Sequence, residues 1–146
     1  MPKLNTTLLI MLLVSAAMAN AGNEDVISIP DHAELEWKPL PPGGAMISYA
    51  NLMGELTGAQ PYSALIKIRK GTHAFAHTHS ASISKVVLEG TAFTVVEGTR
   101  TEYPTGSFLR IPAGVAHESG CVAASNCLLY VHQPKGYDVE QTSKQP

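Results

Sequence analysis

Charge is what this 146-residue chain has least of: Asp, Glu, Lys and Arg make up 15% of it, with a formal net charge of −2. The basic residues are scattered, and without a basic stripe the chain offers no footprint for nucleic acid. Hydrophobic content of 45% belongs to a folded protein, because disorder goes with fewer apolar and more charged residues. Helical periodicity is missing as well; beyond the N-terminal segment no stretch of ten or more residues carries it. A membrane-spanning run is also lacking. The apolar segment at residues 8–17 would cover about 15 Å as a helix, against a hydrocarbon core of about 30 Å. The length suits one domain with a modest core.

That N-terminal segment has a different purpose. Residues 1–7 carry one cation, Lys3, and no acid; the apolar run follows, and then come Ala17-Met18-Ala19 and Ala19-Asn20-Ala21. A basic start, an apolar centre and small residues at a cut site are the parts of a secretory signal peptide. Residues 1–21 are read as that signal, with the mature chain starting near Asn20 or Gly22 and no membrane attachment after cleavage. No cysteine lies near the cut, which argues against a lipid anchor there. The expected location is periplasmic or secreted.

Only two cysteines are present, Cys121 and Cys127. In an oxidising compartment an even count favours a disulfide, and five intervening residues suit the two arms of a tight hairpin. Free buried cysteine is the alternative.

Proline and glycine at positions 39, 41, 42, 43 and 44 break the chain, so residues 22–44 read as an arm leading into a domain at residues 45–137. Residues 138–146 read as a flexible tail. Inside the domain, short β-like runs appear at residues 45–49, 62–70, 85–88, 91–96, 107–111 and 127–132. Glu89-Gly90 and Glu97-Gly98 read as hairpin turns, with glycine supplying a positive φ. Strands at this spacing predict an all-β sandwich or barrel.

Six histidines are present, and His77 and His79 stand two apart on a strand-like run. Side chains at i and i+2 share a face, about 6.6–6.8 Å apart along the chain, so two imidazoles can lean onto one ion. Gly71 precedes them to give G-x5-H-x-H, and Gly106, Pro112, Gly114 and His117 give G-x5-P-x-G-x2-H. With these paired motifs the chain resembles the cupin superfamily over roughly residues 62–133. The wider pattern is similar to an uncharacterised bacterial branch and to the cupin half of zinc-binding anti-sigma factors. The resemblance implies a six- to eight-stranded jelly-roll barrel holding one divalent transition metal, Fe(II) or Zn first, with Ni, Mn or Cu as alternatives. It makes His77, His79 and His117 the ligands, and pairing through edge strands would give a homodimer.

Cupins commonly add a glutamate with three or four residues between it and the second histidine; here those positions are Ile83 and Ser84. Cys121 stands where an asparagine is common. His73 would reach the ion only if the chain bends, and Glu118 should face away. Tyr130 and His132 are candidates for groups behind the ligands. Three neutral imidazoles would leave an ion its full charge and favour anionic ligands.

Two functions follow from that. One is a metal-dependent, dioxygenase-like enzyme acting on a small enolisable or carboxylate compound; the other is a non-catalytic module that binds a metal or small ligand. Under either, metal affinity is expected to fall below about pH 6.5, where free imidazole protonates.

Overall fold

The apolar run at residues 62–70 becomes the central strand of one of two sheets. The computed structural model describes Ser28, residues 31–42 and residues 44–142; the proposed signal at 1–21 lies outside the described residues, as do 143–146. Among the described residues, one 3-10 turn at His32–Glu34 precedes eleven strands. They are β1 (Lys38–Leu40), β2 (Gly44–Met53), β3 (Tyr62–Ile68), β4 (His73–Thr78), β5 (Ile83–Glu89) and β6 (Thr91–Val96). There follow β7 (Thr99–Pro104), β8 (Phe108–Ile111), β9 (His117–Cys121), β10 (Cys127–Gln133) and β11 (Glu140–Gln141).

The strands form a six-stranded sheet in the order β1-β2-β3-β10-β5-β8 and a five-stranded sheet in the order β11-β4-β9-β6-β7, all pairs antiparallel. The expected all-β jelly roll is therefore what the chain forms, with more strands than the six to eight implied. β3 lies between β2 and β10 and residues 62–66 are all buried: Tyr62, Ala64 and Ile66 enter the core, while the other face carries Ser63, Leu65 and Lys67. Tyr62, Ala64, Ile66, Ile83, Val87, Leu129 and Val131 belong to one core cluster. Burying a side chain of the larger kind contributes about 1.5–3 kcal/mol before entropy is charged against it.

Several expectations change. Part of the supposed arm is structural: Lys38–Leu40 pairs with β2, and Leu40 is in the core. Proline is tolerated at position 39 because β1 is an edge strand and its missing N–H costs no central bond. Part of the supposed tail is structural too, since Glu140 and Gln141 pair with Thr78 and His77. Glu97 and Gly98, with φ of 50° and 75°, make the expected β6–β7 hairpin. Glu89-Gly90 does not make a hairpin, because β5 and β6 lie in different sheets. Gly90 instead takes the corner between them, where a Cβ would come within 2.3 Å of the Asn126 carbonyl oxygen.

Cys121 and Cys127 form the disulfide, with a Cα–Cα distance of 5.9 Å. The expected hairpin is absent there, because β9 and β10 belong to opposite sheets; the bond therefore ties the two layers together. Closing so short a loop should contribute about 2 kcal/mol through the unfolded chain. The double substitution Cys121→Ala/Cys127→Ala is expected to lower Tm by roughly 5–15 °C, read by calorimetry. A Tm within 2 °C of wild type would remove the disulfide from the account of stability.

Candidate metal centre

Two neighbouring segments carry the histidines inward. β4 pairs with β9 so that His77 stands directly opposite His117, and His79 follows two residues after His77. The turn before His117 is pinned to the H-x-H strand, since the Gly114 N–H donates to the His79 carbonyl at 2.9 Å. Gly114 has φ of 74°, a conformation that glycine adopts without a Cβ penalty. This is how the proline–glycine motif returns His117 to the interior.

The result is one cluster. His77, His79 and His117 are all buried, and their ligand atoms lie within 4.8 Å of one another. Ring centroids are 4.3 Å apart for His77–His117, 5.0 Å for His77–His79 and 5.3 Å for His79–His117. Bonds of about 2.0–2.1 Å to one ion would draw the rings inward from this spacing.

The hydrogen bonds fix which nitrogen faces the centre. The Nδ1 of His77 donates to the Phe75 carbonyl at 2.7 Å, that of His79 to the Asp138 carbonyl at 2.5 Å and that of His117 to the Val115 carbonyl at 3.0 Å. A carbonyl only accepts, so each Nδ1 carries the proton and each Nε2 keeps its lone pair. The Nε2 of His117 is buried with no hydrogen-bond partner. An orphaned acceptor of this kind costs about 1–3 kcal/mol, and a cation beside it would remove that cost. Donor type, orientation and the orphaned nitrogen all fit a transition-metal ion.

Electrostatics keep the rings neutral. Burial lowers the pKa of His77, lowers that of His79 to about 4 and lowers that of His117 to about 3. The Nδ1 hydrogen bonds oppose these shifts, and the Lys85 ammonium adds to them. Proton competition for the folded site therefore begins below the pH of 6.5 expected for free imidazole.

Other sequence candidates lie elsewhere. His73 hydrogen-bonds the Glu118 carboxylate through its Nε2, outside the cluster. Tyr130 and His132 do not stand behind the ligands; on β10 they alternate with the core residues Leu129 and Val131 and both contact Ser63 Oγ. Ser84 pairs with His132 and Arg110 in register, on that same outer face, while Ile83 lines the cavity with His77 and His79.

Two residues lining the cavity were not anticipated, Lys85 and Tyr137. The strand parity of Ile83, Lys85 and Val87 would have revealed the first. Tyr137 and the Asp138 carbonyl arrive with the C-terminal segment, whose sequence carries no strand pattern. The Asp138 carboxylate anchors that segment by accepting from the Ser80 N–H at 2.9 and 3.2 Å.

Comparison with known proteins agrees with the geometry. The family described as the ChrR cupin-like domain matches residues 27–135. Among solved structures, the polyketide cyclase RemF from Streptomyces resistomycificus is 18% identical, with 82% of this chain and 88% of that chain covered and a TM-score of 0.68. KdgF from Halomonas sp. is 15% identical, covering 71% and 90%, with a TM-score of 0.56. The DMSP lyase DddQ from Ruegeria pomeroyi DSS-3 is 19% identical, covering 78% and 64%, with a TM-score of 0.61. At these identities the likeness is one of fold. No curated protein matches the chain in sequence.

Proposed function

Starting from a chain that belongs to the ChrR cupin-like domain family of the cupin superfamily, we propose an exported metal-dependent enzyme of the dioxygenase type that acts on a small enolisable or carboxylate compound. The observation that carries this reading is the three-imidazole cluster, with every Nδ1 committed to a backbone carbonyl. His77, His79 and His117 would hold one divalent ion, Fe(II) or Zn before Ni, Mn or Cu. Bound there, such an ion supplies Lewis-acid polarisation of a substrate oxygen.

The chain's own residues supply the surroundings. Ile66, Ile68, Ile83 and Leu129 line the cavity and exclude water. Burial and the nearby Asp138 charge raise the Tyr137 pKa, so its phenol stays protonated and offers a hydrogen-bond donor inside the cavity. Export to the periplasm or beyond is supported by the N-terminal sequence pattern and by the disulfide. Residues 1–21 would be removed on the way.

Oxygen uptake tests the enzyme reading. Untagged, iron-loaded protein should consume oxygen with one or more members of a panel of small β-diketones, 2-oxo acids and thiols, and His117→Ala should abolish the uptake. Uptake that survives this substitution would contradict the reading. One observation favours a non-catalytic binder instead: among the described residues no carboxylate side chain lines the cavity to move a proton. Ligand-dependent melting shifts without any turnover would decide for that function.

A further inference from the structure

The cavity beside the histidines holds a cation with no counter-ion among the described residues. Lys85 on β5 pairs in register with Val131 and Leu109, both core residues, and so shares their inward face. It lines the same cavity as His77, His79, Ile83 and Tyr137. Among the described residues no ion pair or hydrogen bond engages its ammonium, and no acid lines the cavity. Burial lowers its pKa to about 8 with no opposing contribution from a carboxylate. Near neutral pH the cavity thus holds a positive charge that the protein leaves uncompensated, and a bound divalent ion would add two more. Lys85 is only half-buried, yet a cation on the inner face of the barrel with no partner among the described residues is open to an anion.

The space around it limits the anion's shape. The inner cavity measures about 50 Å³, room for a few waters or a carboxylate head but not for a larger molecule. An outer compartment of about 220 Å³ adjoins it, sharing Leu40, Ile47, His77 and Tyr137. Its further walls include Met46, Phe75 and Val139, and Met46 and Phe75 are each 41% exposed.

We propose that Lys85 is the residue that recognises the substrate's anionic group, pairing with the carboxylate of an organic acid whose apolar remainder lies in the outer compartment against Met46, Phe75 and Val139. The proposal rests on the metal-centre reading given above and names the ligand class for that site. Lys85 is the next inward-facing residue after Ile83 on β5, so the carboxylate would lie one inward position along that strand from where a glutamate ligand is common.

Calorimetric titration of zinc-loaded, untagged protein with straight-chain carboxylates from acetate to octanoate tests this. Affinity should rise about fourfold per added methylene over the first members of the series, as apolar surface leaves water. Lys85→Met should weaken octanoate binding roughly 10- to 100-fold, the loss expected of a charge-assisted contact. The variant should keep its zinc and melt at or above the wild-type temperature, because the methionine keeps the apolar stem and drops the unpaired charge. Octanol should bind weakly and equally to both proteins. Octanoate binding unchanged by Lys85→Met, or no acid of the series binding below 10 mM, would overturn the proposal. Wild-type protein that fails to hold zinc would instead remove the metal-centre reading, so the two failures are told apart by metal content.

Discussion

Replacing His117 with leucine should leave the metal-free protein about as stable as wild type while abolishing its stabilisation by metal. His117 is 0% exposed and its Nε2 lacks a partner, so without an ion the imidazole carries a polar atom into the core at a cost. Leucine removes that orphaned atom at similar volume, although it also leaves the Val115 carbonyl without its Nδ1 donor. The two effects nearly cancel, and metal-free Tm values are expected to agree within a few degrees. Zinc at a thousand times its Kd should add about 4 kcal/mol to the wild type. For a domain of this size that is a rise of roughly 10–20 °C, and the variant should show none of it. A variant stabilised by zinc as strongly as wild type would place the ion elsewhere.

Acid should separate the metal-free and zinc-loaded proteins almost as sharply. The three buried imidazoles have folded-state pKa values below the unfolded value of about 6.5, with His79 at about 4 and His117 at about 3. Between pH 6.5 and about 4 the unfolded chain therefore binds more protons than the folded one, and stability falls as pH falls. The slope should approach about 1.4 kcal/mol per pH unit for each histidine involved. Bound zinc protects the same nitrogens, so the loaded protein should keep its Tm to a lower pH. Thermal melts from pH 7.5 to 4, with and without zinc, read the difference. A metal-free Tm that stays flat from pH 6.5 to 4.5 would contradict burial of neutral rings.

This prediction also revises what the histidines suggest in sequence alone. A histidine read off a sequence carries its free pKa, and loss of metal near pH 6.5 follows from that. The structure buries all three rings, so protons compete for them only at lower pH. The spacing of His77 and His79 was legible because a strand repeats every two residues, and His117 because a proline–glycine turn precedes it. Lys85 was equally readable by parity with Ile83 and Val87, but a lysine in a strand is normally taken as solvent-facing.

The disulfide partners were legible from their count, yet the hairpin geometry assigned to them was not, since a five-residue gap does not say whether the chain stays in one sheet. Strands β7 and β9 were missed for a related reason. Thr99–Pro104 is a largely exposed edge strand, and His117–Cys121 contains glycine, serine and glutamate in place of an apolar pattern. Their strand character comes from pairing with β6 and β4, which no local pattern encodes. The tail was misread in the same way, because Glu140 and Gln141 are polar and become a strand only against β4.

X-ray absorption spectroscopy of the zinc-loaded protein tests most directly whether three Nε2 atoms meet at one ion. Three imidazole nitrogens at about 2.0–2.1 Å, with the outer-shell scattering of intact rings and with one ring lost in His117→Leu, is the predicted result. A first shell of oxygen or sulfur without imidazole scattering, or a wild-type spectrum unchanged by the substitution, would contradict it.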